Sequence, residues 1–199
     1  MEKRSINFEL RAKKDSRTIF GTATVFNSSY DMGWYDEEMS ADSLNEADMK
    51  DVVALFNHDM NMVLARTSSG TLKLNVTGDA MEYEFEAPNT TLGNDLLEMV
   101  KRGDVFQSSF AFTVETEDWQ ERKGMKPKRV IRSIKKVYDV SPVTYPANPD
   151  TMVAKRSYEA TKEIDKDLQT IIDISVKSEI NIQNELRRNA LHLLNLKTK

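Results

Sequence analysis

Two short segments of the sequence carry residue types that could work together in nucleophilic catalysis. Ser108 and Ser109 stand between bulky apolar residues, in a run that predicts a strand following a helix. His58 ends another apolar run, which predicts an imidazole at the end of a strand, where a cleft could form. A serine hydroxyl needs a base to take its proton as it attacks, and neutral imidazole suits that task at neutral pH. Each residue alone also fits a structural role, the histidine in a turn and the serines in a strand.

Asp139 is the acidic residue that could complete such a group. It is a lone acid among Val137, Tyr138 and Val140 on a predicted strand, and a buried carboxylate needs a partner. By accepting a hydrogen bond from His58 it could fix the tautomer of the imidazole and stabilise the imidazolium. The plain alternative is an exposed strand carboxylate. Because triads are recognised by geometry and not by chain order, the prediction requires the three side chains to lie within hydrogen-bond distance.

The composition excludes several other kinds of chemistry. The 199 residues include no cysteine, which rules out disulfides, thiolate zinc sites and cysteine nucleophiles, and the two histidines argue against a histidine-rich metal site. We therefore expect no cofactor and no metal. The formal net charge of -4 argues against a nucleic-acid partner, and no apolar run approaches the ~20 residues that span a bilayer. The first residues lack the apolar stretch of a signal peptide, so we expect a cytoplasmic protein without a membrane partner.

Alternating apolar and polar residues predict that most of the chain before residue 150 is β-structure. We expect strands over residues 5–12, 18–26, 71–76, 80–87, 105–115 and 129–140, with a hairpin turn around Gly78 between the third and the fourth, and helices over 42–51 and 91–102. Thr91 could cap the second helix, and Gly103 suits its end. Many short strands with two helices favour an α+β, mainly β fold, either a β-barrel or a sandwich covered by helices.

The composition changes near residue 150 and marks a boundary. All five prolines and all seven glycines precede that position. We therefore predict a β-domain over residues 1–154 and a helical C-terminal tail over residues 155–199. The tail could pack on its own body or serve as a partner-binding or coiled-coil arm, and the sequence leaves both open. Its helical spacing of apolar residues is clearest at Ile164, Leu168, Ile171 and Ile172.

Four segments of the sequence share the residue patterns of one known family. The first is Phe-Asn-His-Asp with the following Val-Leu-Ala-Arg-Thr, at residues 56–67, and the second is Gly-Asp with the following Ser-Phe-Ala-Phe, at residues 103–112. The third is Asp-Trp at residues 118–119, and the fourth is a long run around Val-Ser-Pro-Val-Thr-Tyr-Pro-Ala-Asn-Pro, at residues 139–151. The stretch 20–27, Phe-Gly-Thr-Ala-Thr-Val-Phe-Asn, also fits. With these segments in this order, the chain resembles the prohead (capsid maturation) proteases of tailed bacteriophages. The likeness covers the chain up to about residue 156 and leaves the tail outside.

The resemblance implies a serine endopeptidase with a fold like the herpesvirus assembly protease, a closed or partly open β-barrel flanked by helices. His58 matches the histidine of the family, Ser109 the nucleophile, and Asp139 the acidic third member, which is glutamate in many relatives. The negative oxygen of the reaction intermediate needs hydrogen-bond donors. Backbone amides near Ser109 and the guanidinium of Arg66 are the candidates, and Ser108 is a candidate for contact with the substrate.

Two departures from the family pattern bear on these assignments. Ala65 replaces a common glycine before the arginine, and Ser108 directly precedes Ser109. Neighbouring residues on a strand point to opposite faces, so only one serine can meet the histidine. Phe110 and Phe112 share the face of Ser108 and are expected in the core, which indicates Ser109 as the exposed nucleophile.

The resemblance also implies the partners and the place of action. Such proteases act in the host cytoplasm, inside the assembling procapsid, where they cleave the scaffold or the delta segment of the major capsid protein and often themselves. The tail would dock to capsid or scaffold protein and be removed near residues 156–165, and self-association is a further expectation. The leading alternative is a non-catalytic β-barrel assembly module that binds capsid protein through the helical tail. A small-molecule esterase is less favoured, because Ser109 lacks the Gly-x-Ser-x-Gly elbow.

Overall fold

The computed structural model describes residues 1–6, 10–145 and 151–197. The chain divides into two units, Met1–Asp150 and Thr151–Lys199. Within the described residues, the first unit begins with strands β1 (Glu2–Ile6), β2 (Leu10–Ala12), β3 (Thr18–Val25), β4 (Ser29–Asp31) and β5 (Asp36–Met39), which a short 3-10 turn at Ala41–Leu44 follows. It continues with strands β6 (Val53–Leu55), β7 (Val63–Arg66), β8 (Leu72–Val76) and β9 (Ala80–Glu86), helix α1 (Thr91–Arg102), and strands β10 (Gln107–Gln120) and β11 (Lys128–Val143). The second unit contains helix α2 (Thr151–Lys197).

The long antiparallel hairpin of β10 and β11 is the centre of the larger sheet. β1 pairs with the other side of β10, and two short strands, β5 and β6, pair in parallel with β11. β5 lies against the first residues of β11, 128–131, whereas β6 lies against Asp139 and Val140 near its end. β4 pairs with β5, and β7 with β6. The end of β11 that carries Asp139 therefore lies between β10 and β6.

The smaller sheet has the strand order β2-β3-β9-β8, and all of its pairs are antiparallel. β8 and β9 form the hairpin that the sequence predicted around Gly78. Side chains from both sheets and from α1 pack into one apolar core. Fully buried members of that core include Ile19, Leu96, Phe110 and Phe112.

Two open sheets take the place of the predicted barrel. The mainly β structure with helices is found as expected, but within the described residues neither sheet closes on itself. The segment 5–12, predicted as one strand, contributes to β1 in the larger sheet and β2 in the smaller one. Because neighbouring stretches of chain pair in different sheets, the two sheets share a core without forming one continuous ladder.

α1 is the helix that the sequence predicted over residues 91–102. The capping residue is Thr90 and not Thr91, since the Thr90 side chain accepts a hydrogen bond from the Gly93 amide at 3.2 Å. Gly103 ends the helix with a φ of 84°, a left-handed conformation that glycine adopts at little cost. The helix thus stops shortly before β10, the strand that carries both serines.

The helix predicted over residues 42–51 is wrong. Only Ala41–Leu44 is helical, as a 3-10 turn, and Asp48 then joins β11 through an isolated bridge. The Asp48 amide donates to the Lys135 carbonyl at 2.9 Å, and the Asp48 carbonyl accepts from the Val137 amide at 3.1 Å. These hydrogen bonds to a neighbouring strand replace the ones a helix would form, so long-range pairing overrides the local apolar spacing.

The second unit is the single helix α2, in line with the predicted helical tail. Exposed apolar residues at helical spacing are what a partner-binding arm would present, and that interpretation stays a prediction. Within the described residues, no helix is long and apolar enough to cross a membrane. The apolar side chains of α2 that are more than half exposed include Ile164, Leu168, Ile171 and Ile172.

Candidate active site

Asn57 and His58 form a tight turn directly after β6. Their φ angles of 56° and 57° are left-handed, a conformation that costs a non-glycine residue about 1 kcal/mol or more. The turn is held by the end of β11. The Asn57 amide donates to the Pro142 carbonyl at 3.0 Å, and Asn57 Oδ1 accepts from the Thr144 amide at 2.9 Å. These contacts fix the backbone that carries the imidazole.

The β10–β11 hairpin brings a serine and the acid to the same place. Ser109 lies opposite Ser141 in the ladder, and Ala111 lies opposite Asp139. Because side chains alternate along a strand, Asp139 and Ser141 share one face of β11. Residues directly opposite each other in an antiparallel pair also share a face, so Ser109 points to that side too. β6 pairs with β11 at Asp139, and the turn that follows β6 therefore reaches this face.

His58, Ser109 and Asp139 form a continuous chain of short hydrogen bonds. His58 Nδ1 lies 2.6 Å from Asp139 Oδ1, and His58 Nε2 lies 2.6 Å from Ser109 Oγ. When Nδ1 is protonated and donates to the carboxylate, Nε2 is left to accept from the serine hydroxyl. The exposed fractions of the His58 and Asp139 side chains are only 5% and 7%. Such an arrangement can take a proton from Ser109 as its oxygen attacks.

The two adjacent serines have different partners. Ser109 Oγ meets the imidazole, whereas Ser108 Oγ lies 2.8 Å from the Tyr83 hydroxyl in the core. Burial raises the pKa of Tyr83. As predicted, Phe110 and Phe112 are buried, and their rings stack with centroids 4.6 Å apart. The geometry therefore distinguishes Ser109 as the serine next to the base.

The expectation that Ser109 is exposed is wrong, because its exposed fraction is 0%. β1 lies alongside β10 with Ser5 opposite Ser109, and Ser109 Oγ is also 2.9 Å from the Arg4 carbonyl. A hydroxyl has one proton, so the Arg4 carbonyl and His58 Nε2 are alternative acceptors for it. The position of β1 depends on pairing with a strand more than 100 positions away in the sequence, which local sequence patterns do not reveal.

Arg66, predicted as a donor to the negative oxygen, has another partner. Its Nε and Nη2 atoms lie 2.6 and 2.5 Å from the two carboxylate oxygens of Asp51, at the exposed surface. The hydrogen bonds of this pair hold the pKa of Asp51 well below its usual range and raise the pKa of Arg66. Among the described residues Arg66 has no hydrogen bond to His58, Ser109 or Asp139, and its role in the reaction stays a prediction.

Ser141 is the polar residue that sequence reasoning missed. Its hydroxyl donates to Asp139 Oδ1 at 2.7 Å and lies 3.3 Å from His58 Nδ1, and its side chain is fully buried. The signal that could have found it is its spacing, since a residue two positions after Asp139 on a strand shares its face. We call His58, Ser109, Asp139 and Ser141 together the serine cluster.

A second polar group, the ionic cluster, lies toward the other end of the β10–β11 hairpin. It consists of four buried residues, Glu2, Arg4, Glu37 and Arg129, together with the partly buried Glu117. Arg4 binds Glu2 at 2.6 Å and Glu37 at 2.7 Å. Arg129 binds Glu2 at 2.7 Å, Glu37 at 2.9 Å and Glu117 at 2.8 Å. Burial alone would raise the pKa of Glu2, but the hydrogen bonds and charges of the two arginines outweigh it and lower that pKa.

Within the described residues, no group of three or more histidine, aspartate and glutamate side chains could hold a metal ion.

Comparison with known proteins adds to this geometry. The family model described as caudovirus prohead serine protease matches residues 6–164, well over half of the chain. The matched range includes His58, Ser109 and Asp139. No curated protein and no solved structure matches the chain, so the likeness to the fold of the herpesvirus assembly protease stays a prediction. The chain belongs to the caudovirus prohead serine protease family.

Proposed function

We propose that the chain is a serine endopeptidase in which Ser109 is the nucleophile, His58 the general base and Asp139 the residue that orients the base. The observation that carries the proposal is the unbroken line of hydrogen bonds from the serine hydroxyl through the imidazole to the carboxylate, 2.6 Å at each contact. Membership of the prohead serine protease family supports the same class of reaction. Geometry and family therefore support the proposal independently.

In the proposed reaction, Ser109 Oγ attacks the carbonyl carbon of a peptide bond while His58 Nε2 takes the hydroxyl proton. Asp139 keeps Nδ1 protonated and stabilises the positive charge that forms on the imidazole. His58 then gives its proton to the leaving amine, and an acyl-enzyme remains. A water molecule, activated by the same Nε2, hydrolyses the ester and frees Ser109.

The negative oxygen of the tetrahedral intermediate needs donors, each typically worth about 3 kcal/mol. Backbone amides near Ser109 are the candidates that we favour, because they belong to the strand that carries the nucleophile. Arg66 is the second candidate. Its two hydrogen bonds to Asp51 would have to break before its guanidinium could turn toward a substrate.

A substrate must reach a serine that has no exposed surface in the free enzyme. β1 and the turn at Asn57 and His58 lie beside Ser109 Oγ. The histidine must stay beside the nucleophile for the reaction, so the binding of an extended peptide would displace β1 from Ser109 Oγ. A peptide carbonyl that arrives at Ser109 would replace the Arg4 carbonyl as the neighbour of the hydroxyl.

The biological role that we propose is capsid maturation. The substrates would be the scaffold or the delta segment of the major capsid protein, and the chain itself, inside the assembling procapsid in the host cytoplasm. The exposed apolar side chains of α2 support a docking role for the tail toward capsid or scaffold protein, or toward a second copy of the chain. Cleavage near residues 156–165 would release the enzyme from that arm.

The test is to express the full chain together with its capsid protein and to follow intact masses over time. Wild type should trim the capsid protein or itself, and Ser109→Ala should trim neither. Ser108→Ala is the matched control one residue away. The Ser108 hydroxyl faces Tyr83 in the core and not the imidazole, so we do not expect it to contact the substrate, and this variant should retain cleavage. If Ser109→Ala cuts like wild type, the assigned nucleophile is wrong. If wild type cuts nothing inside assembled procapsids, the non-catalytic assembly module replaces the protease.

A further inference from the structure

Ser141 carries a buried hydroxyl that the mechanism above does not use. It lies on β11 two residues after Asp139 and directly opposite Ser109, with no exposed surface. A buried hydroxyl needs a hydrogen-bond partner, and the partner here is Asp139 Oδ1 at 2.7 Å. The same oxygen lies 2.6 Å from His58 Nδ1. Ser141 therefore binds the very atom on which the orientation of the base depends.

We propose that Ser141 is a positioning residue for the reaction, whose hydroxyl holds the Asp139 carboxylate so that Oδ1 faces His58 Nδ1. The proposal rests on the proposed function, in which Asp139 orients the base. Ser141 itself touches neither the substrate nor the reacting atoms. It acts through Asp139 and, more weakly, through His58.

The direction of each hydrogen bond follows from the number of protons. A carboxylate only accepts, so the Ser141 hydroxyl donates its single proton to Asp139 Oδ1. The lone pairs of Ser141 Oγ are then left for His58 Nδ1, which lies 3.3 Å away. The Nδ1 proton thus meets a near acceptor, Oδ1, and a more distant one, Oγ. Both favour the tautomer with the proton on Nδ1, which leaves Nε2 free to accept from the nucleophile.

The backbone around Ser141 holds its hydroxyl in a fixed place. Ser141 pairs with Ser109 across the ladder, and Pro142, whose φ is restricted by its ring, follows it. The Pro142 carbonyl also accepts a hydrogen bond from the Asn57 amide at 3.0 Å, which connects this end of β11 to the turn that carries His58. The terminal torsion of an aspartate is broad, so a carboxylate held by one hydrogen bond keeps a freedom that a second donor removes.

Steady-state kinetics on a peptide that spans the mapped cleavage site provide the first half of the test. Ser141→Ala should lower kcat about 10- to 100-fold with little change in KM, the size of effect seen when a side chain that orients a metal ligand is removed. Ser141→Thr keeps the hydroxyl and should restore most of kcat. Ser43→Ala is the matched control and should leave kcat unchanged. Ser43 is also buried, and its hydroxyl has no hydrogen-bond partner among the described residues.

A spectroscopic measurement separates positioning from a loss of stability. In a Ser109→Ala background, which prevents self-cleavage, the proton on His58 Nδ1 is followed by NMR as a downfield resonance. Adding Ser141→Ala should shift this resonance upfield or broaden it, and adding Ser141→Thr should preserve it. If Ser141→Ala does not fold, Ser141→Cys takes its place, because a thiol is a weaker donor and kcat should still fall.

The two proposals fail in different ways. If Ser109→Ala is inactive while Ser141→Ala keeps wild-type kcat and an unchanged Nδ1 resonance, the positioning role is overturned and the proposed function stands. If Ser109→Ala is active, the proposed function is wrong, and the positioning role falls with it.

Discussion

The serine cluster and the ionic cluster lie toward opposite ends of the same β10–β11 hairpin, and both consist mainly of buried polar side chains. In the serine cluster, hydrogen bonds join hydroxyls, an imidazole and a carboxylate, and the imidazole can take or return a proton. In the ionic cluster, the arginines stay protonated and each contact joins opposite charges. A buried polar cluster can thus take part in a reaction when one of its groups can gain and lose a proton. When its groups stay charged, the cluster can only stabilise the fold.

The ionic cluster shows how buried charge is tolerated. Burial alone would lower the pKa values of Arg4 and Arg129, but the hydrogen bonds and charges of Glu37 and Glu2 outweigh it and raise both. Burial, and after it the negative charge of Glu37, raises the pKa of Tyr35 to about 12. Each charge in the cluster is stable only because its partners are present. Removing one partner should therefore affect folding more than it affects chemistry.

Asp139→Asn tests the serine cluster, where we expect the largest effect. An amide can donate to His58 Nδ1, which favours the wrong tautomer and leaves Nε2 unable to accept from Ser109. The value of kcat/KM on the cleavage-site peptide should fall on the order of 10⁴-fold, as for a triad carboxylate changed to an amide in other serine proteases. The free energy of unfolding should change little, because the amide has the same shape.

Asp118→Asn is the control for this variant. Asp118 lies on the same hairpin, but it is exposed and pairs with Arg132. Its replacement should leave kcat/KM at the wild-type value. If Asp139→Asn keeps more than a tenth of the wild-type activity, Asp139 is not the third member of a triad.

Arg129→Met tests the ionic cluster by removing one partner of three glutamates. Glu2, Glu37 and Glu117 would lose their shared cation inside the protein, which should lower the free energy of unfolding by about 3–5 kcal/mol. Denaturant unfolding measures this change. The fraction that remains folded should keep its kcat, because no member of the serine cluster contacts Arg129 within the described residues.

Arg132→Met is the control on the same strand. Arg132 and its partner Asp118 are about half exposed, and an exposed pair of this kind contributes about 0.2–1 kcal/mol. Equal losses of stability from Arg129→Met and Arg132→Met would mean that the ionic cluster does not hold the fold together. A loss of kcat in folded Arg129→Met would remove the distinction between the two clusters.

Local patterns in the sequence predicted the parts of the molecule that local interactions determine. The helical spacing and Gly103 located α1, and the glycine between two alternating runs located the β8–β9 hairpin. Motif resemblance selected His58, Ser109 and Asp139, and the structure brings these three within hydrogen-bond distance. Neither result required knowledge of which distant strands pair.

The features that the sequence did not predict depend on distant partners. Ser109 is buried and not exposed because β1, at the other end of the domain sequence, pairs alongside it. Glu2 and Arg129 are separated by 127 positions, and in the sequence each is an ordinary charged residue. The spacing of Ser141 after Asp139 is visible in the sequence. Whether its hydroxyl meets the carboxylate depends on burial that only the fold creates.

Gly21→Ala tests whether the contact between Tyr83 and Ser108 contributes to catalysis or only to the stability of the fold. A Cβ on Gly21 would lie 2.7 Å from both Cζ and the hydroxyl of Tyr83, whose ring is buried and cannot swing into solvent. The ring must shift, and its hydrogen bond to Ser108 must weaken. We expect a loss of about 1–2 kcal/mol in the free energy of unfolding, as for other overpacked cores.

The kcat of the folded variant shows whether this loss of stability also affects catalysis. Ser108 points away from the face that carries Ser109, so folded Gly21→Ala should keep the wild-type kcat. Gly78→Ala is the control, because a Cβ there meets nothing within 4 Å, and both stability and kcat should stay at wild-type values. If folded Gly21→Ala loses kcat while Gly78→Ala does not, the Tyr83–Ser108 contact supports the nucleophile through the strand. The serine cluster would then extend to both faces of β10.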